Sequence, residues 1–259
     1  MISLIVPIYN EAPFLPRCLD SIANQTQPFD EVILIDDQST DNSYAIAKDY
    51  ADKYGWQLLQ NEQSLGTGET RNAGAAAAKG DWIAFLDSDD DLFSSACEAM
   101  LNAIEAKPKA NIVQFDHIRM VVGIKNALPN DEGIYGIDDG LAGLPSFFYY
   151  VWNKIYARDL FKKHKFNHLR FGEDEAFNLE LLCDNEKIQC VNADTVIKHF
   201  DNAGSLCHIK TLKELKEQDA FLNEMLARQT GKAQKRLLTE LIDKHRQSTT
   251  YIKGGWKNE

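Results

Sequence analysis

Gly80-Asp81-Trp82-Ile83-Ala84-Phe85-Leu86-Asp87-Ser88-Asp89-Asp90-Asp91-Leu92 is the stretch whose reading decides the fold. Trp82 to Leu86 is a short, continuous apolar run, as expected of a strand buried on both faces of a parallel sheet. It ends in four carboxylates, Asp87, Asp89, Asp90 and Asp91. Like charges at the mouth of a buried strand repel and resist desolvation, and a divalent cation would remove that cost. If the strand geometry continues past Leu86, Asp87 and Asp89 project to one side and can share an ion. Hard oxygen ligands favour Mg2+ or Mn2+, completed by waters and a substrate's phosphates. The plainer alternative is a solvated acidic turn capping a helix that starts near Ser94. Asp87, Asp89, Asp91 and Glu98 also fall at calcium-loop spacing. That loop needs a glycine where Leu92 stands and a helix where a strand is expected, so this reading is set aside.

With 259 residues, 44% of them hydrophobic, the chain can bury a sizeable core. A net charge of −11 argues against general nucleic-acid binding. The charge is uneven. Residues 208–259 hold 11 Lys/Arg against 7 Asp/Glu, so the first 207 carry 17 against 32. An acidic body with a basic tail suits a cation site in the body and an anionic partner, a membrane surface included, near the tail. The five cysteines, Cys18, Cys97, Cys183, Cys190 and Cys207, lack metal-ligand spacing and read as reduced thiols of a cytoplasmic protein. Met1–Ile8 is too short for a signal h-region, and no run approaches a membrane span.

In chain order, Ile2–Val6 reads as a strand and is followed by Pro7-Ile8-Tyr9-Asn10-Glu11. Pro13 suits the first turn of a helix carrying Leu15, Cys18, Leu19 and Ile22 at helical spacing. Glu31–Ile35 is a second strand ending in Asp36-Asp37, and Ser39, Thr40 and Asp41 read as helix-capping residues. A helix over Ser43–Tyr54, a strand over Gln57–Gln60, a helix over Glu69–Lys79 and the Trp82–Leu86 strand follow. Next come a helix over Ser95–Ala106 and a strand over Asn111–His117. Strands alternating with helices imply a parallel, helix-covered sheet, whose ligands bind beyond the strands' carboxyl ends. Tyr9/Asn10/Glu11, Asp36/Asp37 and Asp87/Asp89/Asp90 should then share one rim. The Leu65-Gly66-Thr67-Gly68 loop is no dinucleotide fingerprint, because the third glycine position is Arg71. Arg71 suits either a diphosphate contact or a surface salt bridge.

Four motifs now stand in order: Pro7-Ile8-Tyr9-Asn10-Glu11; Ile35-Asp36-Asp37-Gln38-Ser39-Thr40-Asp41; Arg71-Asn72-Ala73-Gly74 with Ala78-Lys79-Gly80-Asp81; and Phe85-Leu86-Asp87-Ser88-Asp89-Asp90. Together they resemble the family 2 glycosyltransferases, inverting enzymes of the GT-A fold, densely over residues 2–120. The resemblance implies an α/β GT-A domain with a mostly parallel central sheet and helices on both faces. Residues 1–207 would be that catalytic domain, with a nucleotide-sugar half (1–117) and an acceptor half (118–207). Residues 208–259 would be a helical extension, read as two helices, 210–229 and 232–247, split by Gly231.

Beyond residue 120, Gly123–Gly143 reads as a mobile excursion. The aromatic run Phe147–Tyr156, with Trp152-Asn153-Lys154, suits core packing or a sugar platform, and the resemblance places Trp152 near the acceptor. Gly172-Glu173-Asp174-Glu175 resembles the family's Glu-Asp motif. Carboxylates at a helix start are also favoured by the dipole alone. With the upstream motifs present, catalysis is the expectation, with Asp174 as general base and Glu173 on the acceptor. The resemblance further implies donor contacts from Pro7, Tyr9, Glu11, Asp37 (to uracil), Arg71, Asp87 and Ser88. It implies Mn2+ or Mg2+ held by Asp87, Asp89, Asp90 and the late His199, a residue type that is otherwise more often structural. The reaction implied is transfer from a UDP-sugar to a glycan or lipid-linked saccharide in surface polysaccharide synthesis. The alternatives are a non-catalytic nucleotide-sugar-binding subunit, against which the intact Asp87-Ser88-Asp89 and Asp174 speak, and a sugar nucleotidyltransferase. The latter carries a Gly-rich, Arg-containing signature where this chain has Pro7–Glu11.

Overall fold

The computed structural model describes residues 1–115, 117–121, 124–128, 132–145, 149–191, 197–200 and 212–255. The side chains of 117–121, 124–128, 198–200, 212 and 247–255 lie outside that description, as do the whole of Cys207 and the aromatic run's Phe147 and Phe148. The chain opens β1 (Ile2–Ile8), α1 (Leu15–Ala23), β2 (Glu31–Asp36), α2 (Ser43–Tyr54), β3 (Gln57–Gln60), α3 (Thr67–Ala77) and β4 (Trp82–Phe85). It continues with β5 (Asp91–Leu92), α4 (Ala96–Glu105), β6 (Ile112–Gln114), β7 (His117–Val121), β8 (Ile124–Leu128), β9 (Gly133–Tyr135) and α5 (Gly140–Gly143). Then come β10 (Lys154–Ala157), α6 (Leu160–Lys163), α7 (Glu173–Cys183), β11 (Ile188–Cys190), β12 (Ile197–Phe200), α8 (Leu212–Arg228) and α9 (Lys232–Gly255).

The main sheet runs β3-β2-β1-β4-β10-β6-β11-β9. Its first four strands are parallel, as expected. β10 is inserted antiparallel between β4 and β6. It contains Lys154 of the aromatic segment, whose aromatic richness marks burial but gives no strand direction. A second sheet, β5-β12-β7-β8, crosses the stretch read as an excursion, which therefore holds paired strands as well as loop. Pro13 lies in the turn before α1, and Pro16 takes the early helical position instead.

Alternation along β1 shows how the faces are covered. Leu4, Val6 and Ile8 pack with Leu15, Leu19, Ala47 and Met100 of α1, α2 and α4. Ile5 faces the other way, into a cluster with Phe85, Tyr156, Phe161, Phe166 and Phe177. Leu222, Met225, Leu237, Leu238, Leu241 and Ile242 of α8 and α9 belong to that second cluster, so the terminal helices share the core of the sheet.

Two features open the rim. The chain goes from β1 outward to β2 and β3, then returns to β4 on the other side, making β1/β4 the topological switch point. Its ladder ends at Ile5↔Phe85, closed by Leu86 N donating to Ile5 O at 3.0 Å. Ile5 and Pro7 face the same side, so Pro7, lacking an N–H, sits just where β1 has parted from β4.

α3 lies directly on β1 and β2. A Cβ at Gly74 would come within 2.5 Å of Ile5 Cγ2 and 2.7 Å of Ile35 Cδ1. Alanine would gain about 1 kcal/mol of helix propensity, while overpacking a tight core costs about 1–3 kcal/mol. Because Ile5 Cγ2 branches next to the backbone and cannot swing clear, overpacking should win. Gly74→Ala is expected to lower the urea midpoint, and a raised midpoint would show that α3 can lift from the sheet.

Candidate active site

The rim gathers the strand ends as the alternation of elements required. The loops after β1 and β2 are tied together through Asn10, held at φ 56. Its Oδ1 accepts from Thr40 N at 2.7 Å, and its N–H donates to Ser39 Oγ at 3.0 Å. Ser39 and Thr40 thus lock two loops together rather than capping a helix. Asp41 does both jobs, accepting from Ser43 N and from Ala12 N. Tyr9 is 51% exposed above this junction.

Asp37 lies at the base of the rim, 3% exposed. Its two oxygens accept from Asn61 Nδ2 (2.6 Å), Ser64 Oγ, Leu65 N and Gly66 N (2.9 Å each). Burial pushes its pKa up, but these bonds to the charged form outweigh burial and hold it below the usual range. Asp37 therefore organises the 61–66 loop that leads into α3.

The acidic stretch differs in geometry from the extended strand expected of it. β4 stops at Phe85, and Asp90 N donates to Asp87 O at 3.0 Å, so Asp87–Asp90 is a turn. The carboxylates are consequently not equivalent. Asp91 pairs with Arg17 at 2.7 Å. Asp90, expected as a metal ligand, is fully buried, and Ser88 is 6% exposed. Asp87 and Asp89 are half-buried at the rim. His199 lies on β12, antiparallel to β5, and its side chain is outside the described ones. The strand entering this turn agrees with setting the calcium loop aside.

Arg71 is the centre of the site. It is 3% exposed, so it is not a surface salt bridge. One terminal nitrogen bonds Asp87 Oδ1 at 2.8 Å and the other bonds Glu173 Oε1 at 2.7 Å. Its guanidinium lies 5.5 Å from the Phe166 ring centroid. Burial works against its charge, but Asp87 and Glu173 outweigh that and raise its pKa. Both terminal nitrogens already hold carboxylates, so a diphosphate contact by Arg71 would have to share them. The neighbouring Asn72 completes the join: its Nδ2 donates to Phe166 O at 2.8 Å and its Oδ1 accepts from Phe166 N at 2.9 Å.

Through Arg71 the rim reaches α7, whose N-cap residue Gly172 has φ 78. Asp174, half-exposed by area yet densely surrounded, has its pKa raised well above the carboxylate range. Burial is the first cause and the adjacent Glu173 the second, with Arg71 opposing. Asn178, fully buried, donates to Asp174 O at 3.1 Å and also to Tyr149 O and Tyr150 O, while accepting from Tyr156 Oη at 2.9 Å. Lys154 is fully buried, donating to Tyr150 O and Asn153 Oδ1. Burial drives its pKa down to about 7, against the pull of Cys190 and Asp174. Neither Asn178 nor Lys154 carried a sequence signal of its role, since each is defined by what it meets in space. Trp152, expected to face the acceptor, is 3% exposed and stacks on Tyr150 with centroids 4.8 Å apart. It supports the half-buried Tyr150 and offers little surface of its own.

Among the described residues no three His, Cys, Asp or Glu groups converge on a metal position. The donor chemistry nevertheless fits a hard cation. Glu11, across the switch point, has its pKa raised to about 7, first by burial and then by Asp89, Asp87 and Asp41. Carboxylates that repel in this way are what a cation bound partly through substrate phosphates would relieve.

A doubly wound sheet with helices on both faces and acidic strand ends at its switch point defines a GT-A-type nucleotide-sugar fold. Residues 3–165 match the family described as Glycosyl transferase family 2, and the chain belongs to that family. It is 28% identical over 221 residues to the uncharacterized glycosyltransferase EpsJ of Bacillus subtilis, covering 81% of this chain and 63% of that protein. It is 30% identical over 202 residues to the poly(ribitol-phosphate) beta-glucosyltransferase of Bacillus spizizenii, covering 74% of this chain and 31% of that protein. The chain thus spans less than two thirds of either relative. The structure of S. aureus TarS 1–349 in complex with UDP-GlcNAc superposes with a TM-score of 0.79 at 21% identity, covering all of this chain and 76% of that one. The mannosyltransferase PcManGT of Pyrobaculum calidifontis, with GDP-Man and Mn2+, gives 0.64 at 16%, covering 92% and 68%. No helix among the described residues is long and apolar enough to cross a membrane.

The raised pKa of Asp174 has a sign that can be checked. Its protonated form is favoured in the folded state, so native stability is unaffected below the unfolded value near 4. It is lost progressively as pH rises from there across neutrality. Asp174→Asn removes that dependence. Its melting temperature should match wild type near pH 4 and exceed it by a margin that grows up to pH 8. A constant margin would mean that Asp174 ionises freely.

Proposed function

We propose that this protein is an inverting glycosyltransferase moving a sugar from a nucleoside diphosphate sugar, a UDP-sugar in the first instance, to a hydroxyl of a saccharide or lipid-linked saccharide. The carrying observation is the Asp87–Arg71–Glu173 bridge, which brings the carboxylates of the β1/β4 crevice and the high-pKa Asp174 to one site. Family membership supports the reaction class. The UDP-GlcNAc in TarS and the Mn2+ in PcManGT support the donor and the cation. The poly(ribitol-phosphate) in the name of the B. spizizenii relative supports a hydroxyl-bearing polymer as the kind of acceptor.

The base would sit over the β2 and β3 ends, beside exposed Tyr9. Asp37 accepts four bonds already, so a uracil N–H would exchange with the Ser64 hydroxyl, which makes no second bond among the described residues. The sugar and diphosphate then lie toward β4, near Pro7, Glu11 and Ser88. Asp89, Asp87 through the Oδ2 that Arg71 leaves, and Glu11 would hold the divalent cation. When bound, that ion neutralises the charge growing on the departing diphosphate.

Asp174 takes the acceptor proton. Its half-exposed carboxyl, with a pKa raised by burial and Glu173 out of the carboxylate range toward the working pH, suits a general base. The acceptor oxygen bonds the anomeric carbon as the carbon–diphosphate bond breaks on the opposite face, and the proton passes to Asp174. This displacement inverts the centre. Glu173, anchored on Arg71 through Oε1, keeps Oε2 for an acceptor hydroxyl. A non-catalytic subunit would have no use for a destabilising carboxyl at this point.

Calorimetry with UDP should show tighter binding with Mn2+ than without, and Asp89→Ala should abolish the difference while leaving the melting temperature intact. Equal affinity in all conditions would remove the cation from the donor site. Asp174→Asn should leave UDP affinity unchanged and lower transfer by about 10²–10⁴-fold. Wild-type transfer by this variant would pass the role to another group.

A further inference from the structure

The first turn of α7 carries Glu173, Asp174 and Glu175 in succession, and successive helical residues point about 100° apart. Glu173 turns toward α3 and Arg71. Glu175 turns toward the terminal helices. Its Oε2 accepts from Gln218 Nε2 of α8 at 2.7 Å and lies 3.2 Å from His245 Nε2 of α9. Asp174 is held between these two anchors.

The terminal helices are shaped for this contact. Gln218 is 3% exposed and continues, at helical spacing, the buried face of Leu222 and Met225. His245 likewise follows Leu238, Leu241 and Ile242. Two otherwise apolar stripes therefore each end in a polar side chain directed at one carboxylate. Gln218 Oε1 is buried with no partner among the described residues, a cost that an apolar residue would not carry. Gly172 is fitted to the contact as well: a Cβ there would come within 2.2 Å of Gln218 Nε2.

We propose that Gln218 and His245 are positioning residues, through which the two terminal helices grip Glu175 and set the orientation of the Glu173–Glu175 turn for sugar transfer. The proposal rests on the reading of this turn as the source of the base. It makes residues outside the family match a working part of the site. Misplacing such a group by about 1 Å can cost on the order of 10²-fold in rate.

The test uses the full chain with Mn2+. UDP release is measured from UDP-glucose, UDP-galactose, UDP-N-acetylglucosamine and GDP-mannose (as GDP), taking the donor that wild type hydrolyses fastest. Gln218→Glu sets a second carboxylate against Glu175. It should lower kcat by roughly 10–100-fold with affinity for the nucleotide diphosphate unchanged. The exchanged pair Glu175→Gln with Gln218→Glu restores a donor and an acceptor and should recover most of the lost rate. Wild-type kcat in Gln218→Glu, or a swap that restores the melting temperature without restoring kcat, would overturn the proposal. If Gln218→Glu does not fold, Gln218→Met keeps the bulk and decides the matter in the same way. Asp174→Asn is run alongside. Loss in Gln218→Glu with activity in Asp174→Asn leaves the grip standing and refutes the base, while the reverse pattern does the opposite.

Discussion

The structure depends on one buried cation held by two carboxylates from distant parts of the chain. Arg71 joins Asp87, 16 residues after it at the end of the fourth strand, to Glu173, 102 residues after it. Removing one partner of such a buried group leaves a charge stranded, at a cost on the order of 3–5 kcal/mol. The aromatic floor beneath it, with Phe166 and Phe177 stacked at 4.1 Å, keeps water away and strengthens the pairing. The same contacts that weld the two halves also fix the distance between the acidic crevice and the turn bearing Asp174.

That arrangement concentrates unfavourable electrostatics where chemistry is proposed. Glu11 and Asp174 both have raised pKa values, by burial first and by neighbouring carboxylates second. Lys154 is pushed the other way, losing charge through burial beside the same turn. A chain selected for stability alone would replace such groups with apolar ones. Around them the backbone is over-determined: Asn10 locks two loops, Asn72 holds Phe166, and Asn178 ties α7 to the Tyr149–Tyr150 backbone. Three asparagines, Asn10 exposed, Asn72 half-buried and Asn178 buried, thus supply the rigidity on which the strained carboxylates rest.

Much of the donor half was legible in advance. Short apolar runs ending in polar residues give buried parallel strands, and their alternation with helices forces the strand ends onto one rim. Three of the four residues Arg71–Gly74 acquired physical reasons only in three dimensions: bridging, clamping and close packing. The second half was poorly legible. The aromatic segment around Trp152-Asn153-Lys154 reads equally well as a platform or as core packing, and composition does not distinguish the two. Gln218 and His245 left a faint trace, as polar residues at helical spacing within apolar stripes, but nothing in the sequence names their common partner.

By itself the sequence determined the sheet's parallel half, the position of the rim, the acidic character of the site and the family, because these follow from local periodicity and from motifs read in order. Only the tertiary structure decided which carboxylates are neutralised by arginine, which is fully buried, and which remain at the rim. It alone placed β10 antiparallel between β4 and β6 and brought the terminal helices onto α7. The physical reason is that pairing and burial are properties of contacts between residues far apart in the chain. Arg71 reads identically as a surface charge, a phosphate ligand or a buried bridge until the chain brings Asp87 and Glu173 to it.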